Sequence, residues 1–187
     1  MNKPAFLVDG FTEKLVLEKI CPNTKINKIN CNGSSVSIES IAKRVASLIR
    51  IMNNRHYPII IVIDREDREM SVAEIEENLK QEIIKAGVSD DIRIGVCDRM
   101  IENWILSDWE AYTETCKTEN IIKPDNLEGI KGKSFIKKTY PTYQETTDGV
   151  NMLLKASPKI MYENSNSFKN FANQITDINC EWLNTLF

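Results

Sequence analysis

Hydrophobic and polar residues alternate along the first part of the chain in a pattern that predicts strands and helices in turn. A short apolar run at residues 5–8 predicts a first buried strand, and the turn after it begins a helix that extends to about Ile20. Residues 24–31 predict a weaker second strand, since Lys and Asn interrupt it. Apolar residues at helical spacing from Ile38 to Met52 then predict the second helix.

The central strand gives the clearest signal in the sequence. Five consecutive β-branched residues at 59–63 are typical of a strand buried on both faces of a parallel sheet. Ser71 and Glu74 form a capping-box pattern that begins the third helix, and Gly87 ends it. Residues 92–97 predict a further strand. This alternation predicts an α/β fold with a mostly parallel, Rossmann-like sheet flanked by helices.

The second part of the chain predicts helices and loops without further strands. Residues 100–108 predict a short helix, and about residues 111–187 predict a helical, loop-rich extension interrupted by prolines. A chain of 187 residues fits one domain. We therefore expect a single domain with its core in about residues 1–110 and an extension in about residues 111–187.

Composition excludes several classes of protein. The formal net charge of -3 excludes a generally basic nucleic-acid binder, so any such contact must be local or delivered by a partner. The five cysteines are odd in number and widely spaced, which argues against a disulfide framework or a zinc site. The apolar run that ends at Asp9 is too short for a signal peptide, and no run approaches the roughly 18 residues that span a membrane. We therefore expect a cytoplasmic protein without a membrane segment.

Acidic residues directly follow the first and central predicted strands. Asp9 ends the first apolar run, and Asp64 and Glu66 follow the run at 59–63. Sites in parallel sheets form beyond the carboxyl ends of strands, so these acids share one crevice if the two strands are neighbours. Glu13, one helical turn beyond Asp9, can lean into that crevice. Carboxylates packed together repel unless a cation lies among them, and acids without His or Cys suit Mg²⁺ or Mn²⁺.

Each of these acids also has a purely structural alternative. Asp9 can be the N-cap of the first helix, and Glu13 can be a solvated acid that interacts favourably with the helix dipole. Asp64 and Glu66 can belong to a charged loop that continues through residues 67–69.

Three stretches of the chain carry a resemblance to a known family. The first two are Phe6-Leu7-Val8-Asp9-Gly10-Phe11-Thr12-Glu13 and Ile61-Val62-Ile63-Asp64-Arg65-Glu66. Together they resemble the signature motifs of the TOPRIM fold, in the version found in OLD-family nucleases and small stand-alone phage-defence proteins. Met100-Ile101-Glu102-Asn103-Trp104-Ile105-Leu106-Ser107-Asp108 resembles the acid-x-Trp-Leu-x-x-Asp segment of those proteins, and Ala156-Ser157-Pro158 with Ser167-Phe168-x-x-Phe171 resembles their ending.

The resemblance implies a TOPRIM-like fold and a metal-dependent nuclease using one or two Mg²⁺ or Mn²⁺ ions. It implies that Asp9 is the general acid or base, that Asp64 and Glu66 hold the cation, and that Glu13 supports a second metal. Glu102 is a candidate for the same metal shell, and its alternative is an ordinary polar position on a helix. The family usually has Glu at the position of Asp9 and Asp at the position of Glu66, so this chain keeps both charges but moves both carboxylates.

One dense basic stretch lies in the extension and comprises Lys131, Lys133, Lys137 and Lys138. It can track a phosphate backbone through charge contacts, or it can be a solvated run of charges. The single histidine, His56, precedes the central strand and is expected to be a loop or core residue, which excludes a two-His metal site.

The resembling proteins often work with a separate ABC-type ATPase, and this chain has no G-x-x-x-x-G-K-[ST] motif of its own. The leading interpretation is therefore a nuclease that acts on nucleic acid, with DNA favoured over RNA, as the effector of an anti-phage system. The alternative is a non-catalytic TOPRIM-like regulatory or binding subunit of an ATPase complex. Both are compatible with a homo-oligomer. A third alternative, an aspartyl-phosphate domain, lacks its second Asp because that position is Phe11.

Overall fold

The fold is built on one parallel sheet. The computed structural model describes residues 3–31, 33–117 and 121–186, so residues 118–120 and 187 of the predicted extension lie outside the described residues. The strands are β1 (Lys3–Val8), β2 (Lys25–Lys28), β3 (His56–Asp64) and β4 (Ile92–Cys97). All neighbours pair in parallel, in the order β2-β1-β3-β4. The predicted α/β fold with a parallel, Rossmann-like or TOPRIM-like sheet is confirmed.

The two central strands are the first and the third along the chain. Val8 of β1 lies beside Val62 of β3, so their carboxyl ends meet at one edge of the sheet. Residues 59–63 are at most 2 % exposed, as the β-branched run predicts for a strand covered on both faces. The adjacency of β1 and β3, which the sequence left open, brings the predicted acids to one place.

One face of the sheet is covered by two long amphipathic helices, α2 (Ile38–Met52) and α3 (Val72–Lys85). The Ser71 side chain accepts a hydrogen bond from Glu74 N, and the Glu74 carboxylate accepts one from Ser71 N. This reciprocal pair confirms the predicted capping box. Apolar residues of both helices pack against Leu7, Ile61 and their neighbours in the sheet.

The other face is covered by α1 (Phe11–Ile20) and by short helices from the second part of the chain. These are α4 (Glu102–Ser107), α5 (Trp109–Cys116), α6 (Gly132–Thr139), α7 (Val150–Lys155), α8 (Pro158–Asn164) and α9 (Asn166–Gln174), with a π-helical turn at Glu145–Gly149. Trp104 stacks on Phe171 at 5.3 Å between ring centroids. Gly95 of β4 leaves room for this cluster, because a Cβ there would lie 2.6 Å from the Phe171 ring.

The last described residues return to the end of α1. Glu181 N donates a hydrogen bond to Ile20 O at 2.7 Å, and Cys21 and Cys180 form a disulfide across 159 positions of sequence. The number and spacing of the cysteines argued against disulfide bonds, and this prediction is wrong for Cys21 and Cys180. Count and spacing describe local patterns, whereas this bond depends on the tail folding back over α1.

Two further differences concern the lengths of elements. β2 is shorter than the predicted 24–31, and the chain turns away at Asn30, which has a φ of 54°. The helix predicted at 100–108 is limited to Glu102–Ser107.

None of the helices in the described ranges is long and apolar enough to cross a membrane.

Candidate functional site

The five predicted acids line one cavity beyond the carboxyl ends of β1 and β3. This cavity has a volume of about 420 Å³ and is lined by Asp9, Glu13, Asp64, Glu66 and Glu102, among others. It lies where parallel sheets usually carry their binding sites. The structure therefore brings together every acid that the sequence nominated.

Asp9 is held between the two central strands. Its backbone N–H donates to Val62 O at 3.1 Å, and its Oδ2 accepts from Asp64 N at 3.5 Å. The N-cap of α1 is Gly10, so the alternative of Asp9 as an N-cap is wrong. Its other oxygen, Oδ1, is buried and has no hydrogen-bond partner in the described structure. Burial raises the pKa of Asp9 from 3.8 to about 6.

Glu13 occupies the first turn of α1 and is only 4 % exposed, so it is not a solvated acid. Its carboxylate folds back over Gly10, where a Cβ would lie 2.6 Å from Glu13 Oε2. A glycine at this position thus permits the close approach of the carboxylate. Burial, together with the negative charges of Asp9 and Glu102, raises the pKa of Glu13 from 4.5 to about 7.

Asp64 is the last residue of β3, and its Oδ1 is buried without a hydrogen-bond partner in the described structure. Burial raises the pKa of Asp64 well above its usual value, and the charges of Glu13, Glu102, Asp9 and Glu66 add to this effect. Two neighbouring carboxylates, Asp9 and Asp64, therefore each carry an unpaired buried oxygen. Such oxygens are costly to bury when charged.

Glu66 holds a loop as well as lining the cavity. Its backbone has a φ of 54°, and its Oε1 accepts a hydrogen bond from Gly33 N at 3.1 Å. Arg68, expected to be part of a charged loop, is only 8 % exposed and donates to Gly33 O and Val36 O at 3.0 and 3.1 Å. The sequence gives no sign of this role, because the contacts join segments about 30 residues apart.

Glu102 is 4 % exposed and accepts a hydrogen bond from the hydroxyl of Tyr143 at 3.1 Å. Its position is therefore buried at the cavity, not an ordinary polar position on a solvated helix. Burial raises the pKa of Glu102. Burial also raises the pKa of Tyr143, and the negative charge of Glu102 beside it adds to this effect. Sequence analysis missed Tyr143, since no motif joins it to the acids.

The basic stretch divides among several environments. Lys133 lines the cavity, and its Nζ lies 2.6 Å from Glu145 Oε1. Lys137 approaches the same oxygen at 3.7 Å, and Lys131 Nζ lies 2.8 Å from Asp67 Oδ2. Lys138 is exposed on α6. Only one of the four predicted lysines therefore reaches the acids, and Glu145, which sequence analysis did not nominate, neutralises it.

His56 is the first residue of β3, and its Nδ1 lies 3.2 Å from Lys3 O. The beginning of β3 lies at the end of the sheet opposite to the acids. His56 is thus a half-buried residue within β3, whereas the sequence predicted a loop or core residue before the strand.

Comparison with known proteins assigns the chain to a family. The family model described as Domain of unknown function (DUF4276) matches residues 8–176, which is most of the chain. The chain belongs to the DUF4276 family. No curated protein and no solved structure matches it. The DUF4276 region contains all five acids and the basic stretch, but the description of the family names no activity.

The donor set of this DUF4276 domain fits a hard divalent cation, because it consists of carboxylate oxygens and two of them are buried without partners. Asp64 would hold such an ion, and Asp9 lies directly beside it. Within the described residues, however, no group of three or more His, Cys, Asp or Glu side chains is arranged to hold a metal. Mg²⁺ usually keeps several bound waters and is held by one or two carboxylates, so a site does not need three of these side chains.

Proposed function

We propose that this chain is a metal-dependent nuclease that cleaves phosphodiester bonds of nucleic acid. The observation that carries the proposal is the pair of buried, unpartnered oxygens on Asp9 and Asp64, inside a cavity that also contains Glu13, Glu66 and Glu102. Oxygens of this kind suit Mg²⁺ or Mn²⁺. The resemblance to TOPRIM motifs supports the same assignment.

Bound Mg²⁺ or Mn²⁺ would supply positive charge to stabilise a phosphodiester as it is cleaved. Asp9, whose pKa is raised to about 6, is suited to accept or donate a proton near neutral pH. Asp64 and Glu66 would hold the cation, and Glu13 and Glu102 would support a second one. Lys133 is placed to bind a phosphate oxygen once it separates from Glu145.

The proposed defence role, preference for DNA and ATPase partner rest on the resemblance alone, and the proposed cytoplasmic location rests on the composition. We propose that the chain is the effector of an anti-phage system, acts on DNA in preference to RNA, and works in the cytoplasm with a separate ABC-type ATPase. A reducing cytoplasm would keep Cys21 and Cys180 as thiols. Both cysteines are buried, so cells are quenched in acid and alkylated under denaturing conditions, and mass spectrometry of Cys21 and Cys180 then tests this location.

Calorimetric titration of Mn²⁺ into wild type, Asp64→Asn and Asp125→Asn tests the metal site. Asp125 is exposed and does not line the cavity, so Asp125→Asn is a control for removing one surface charge. We expect saturable binding that Asp64→Asn abolishes and Asp125→Asn preserves. Hydrolysis of labelled DNA, with and without an ATPase partner, should follow the same order. Absence of Mn²⁺ binding by folded wild type would rule out an autonomous nuclease.

The second candidate is a non-catalytic regulatory or binding subunit of an ATPase complex. It is favoured by the finding that no metal-holding group of three side chains is present among the described residues. The pairing of Lys133 with Glu145 also reduces the positive charge available to a phosphate. Activity that is lost in Asp64→Asn and retained in Lys131→Ala supports the enzyme. Partner binding that neither substitution changes supports the subunit.

A further inference from the structure

An aromatic ring lies at the rim of the acidic cavity. Phe11, the first residue of α1, follows Asp9 by two positions, lines the cavity and leaves 55 % of its surface exposed. We propose that the Phe11 ring stacks on an unpaired base beside the bond to be cut, and that the substrate is therefore single-stranded nucleic acid. This inference rests on the proposed nuclease function and names its substrate class.

The ring is accompanied by a cation. Lys28 Nζ lies 3.3 Å from the centroid of the Phe11 ring. Lys28 ends β2 in register with Val8 of β1, so it lies one strand away from Asp9. The ammonium group covers one face of the ring, so a base would stack on the other face while the cation attracts the phosphate.

The order of groups along the edge of the sheet follows the order of the strands. Phe11 and Lys28 lie at the side of β2, and Asp9 and Asp64 lie at the ends of the two central strands. The backbone N–H of Lys133 contacts Met100 Sδ at 3.2 Å, three residues after the end of β4. The acids therefore lie between two lysines that line the same cavity. A single strand laid along this edge would meet a ring and a cation, then the acids, then a second cation.

A duplex does not fit this arrangement. Both faces of a base inside a duplex are covered by its neighbours, so away from the duplex ends a protein ring can stack only on a base that is unpaired or turned out. A ring exposed at this site is available to a single strand without the energy needed to open a duplex.

Tyr57, which is 52 % exposed, lies in β3 at the opposite end of the strands and provides a matched aromatic control.

The test measures binding without relying on cleavage. A fluorescein-labelled single-stranded DNA oligonucleotide and the corresponding blunt duplex are titrated with wild type, Phe11→Ala, Phe11→Trp and Tyr57→Ala, with Ca²⁺ in place of Mg²⁺. We expect Phe11→Ala to raise the Kd for the single strand roughly 5- to 150-fold, as loss of one stacked base does. Phe11→Trp should restore tight binding, and Tyr57→Ala should not change the Kd. Circular dichroism verifies that each variant is folded.

The outcomes separate this inference from the proposed function. An unchanged Kd in Phe11→Ala, or an equal loss for single strand and duplex, overturns the stacking role even if wild type cleaves DNA. Failure of wild type to bind the oligonucleotide also overturns it. Ring-dependent binding of the single strand by a protein that cleaves nothing supports the stacking role and rejects the nuclease instead.

Discussion

The two faces of the sheet are covered by very different structures. One face carries α2 and α3, which have 15 and 14 residues, while the other carries α1 and six helices of six to nine residues each. Helices this short are not stable alone, so they depend on packing with one another. The face with short helices also delivers Glu102 and Lys133 to the cavity, and Tyr143 to a hydrogen bond with Glu102. One face therefore supports the sheet, while the other completes the site.

Truncation of the core on each face tests this division most strongly. Trp104 is 2 % exposed, packs against Phe168 and Phe171, and donates from Nε1 to Ser167 Oγ at 2.9 Å. We expect Trp104→Ala to lower the free energy of unfolding by about 3 to 5 kcal/mol and to weaken Mn²⁺ binding by the folded protein. Leu79→Ala, on the α3 face, should cost about 2 to 5 kcal/mol and leave the Kd for Mn²⁺ unchanged. Urea unfolding and calorimetry measure both, and equal effects on Mn²⁺ binding would contradict the division.

The disulfide joins the tail to the face with short helices. Under oxidising conditions we expect Cys180→Ser to lower the free energy of unfolding by about 2 to 4 kcal/mol, because the bond restrains the unfolded chain. Dithiothreitol should produce the same loss in wild type and no further loss in Cys180→Ser. Cys31→Ser is the control, since Cys31 lies outside this bond and the substitution should leave the response to dithiothreitol intact. If dithiothreitol does not change the free energy of unfolding of wild type, the disulfide does not contribute to stability.

The buried acids predict a dependence of stability on pH in the absence of divalent cations. The pKa values of Asp9 and Glu13 rise on folding, from 3.8 to about 6 and from 4.5 to about 7. The folded protein therefore binds protons more tightly than the unfolded chain, so stability falls as the pH increases from about 4 to about 7. We expect the free energy of unfolding to be about 4 kcal/mol lower near pH 8 than near pH 5.

Urea unfolding at several pH values measures this dependence, and two controls identify its source. Asp9→Asn should reduce the pH dependence without abolishing it, because burial still raises the pKa of Glu13. Saturating Mn²⁺ near pH 8 should restore much of the lost stability in wild type. Stability that rises between these pH values would show that the acids are stabilised in their charged form without a metal.

The smallest expected effect concerns the supporting face alone. Ser71→Ala removes the side-chain oxygen that accepts from Glu74 N and should cost about 1 kcal/mol of unfolding free energy. Ser71→Thr should retain most of the stability, and neither variant should alter Mn²⁺ binding. A change in Mn²⁺ affinity would mean that the two faces are coupled more closely than their contacts indicate.

The sequence by itself determined the elements whose signal is local. The β-branched run at 59–63, the apolar spacing of α2 and the Ser71–Glu74 capping box each describe neighbours along the chain, and all three appear in the structure. Asp9, Asp64 and Glu66 could also be nominated, because they lie at or within two residues of the end of β1 or β3. Such elements can be predicted from the sequence because hydrophobic periodicity and helix capping depend on residues only a few positions apart.

Tertiary structure alone decided which of these elements are neighbours and which partners each side chain has. The adjacency of β1 and β3, the hydrogen bond from Tyr143 to Glu102 and the disulfide between Cys21 and Cys180 join positions far apart in the chain. The contact of Lys133 with Glu145 likewise depends on how two short helical segments pack. Such contacts depend on the whole fold, since burial and charge at each position are set by residues that no local pattern contains.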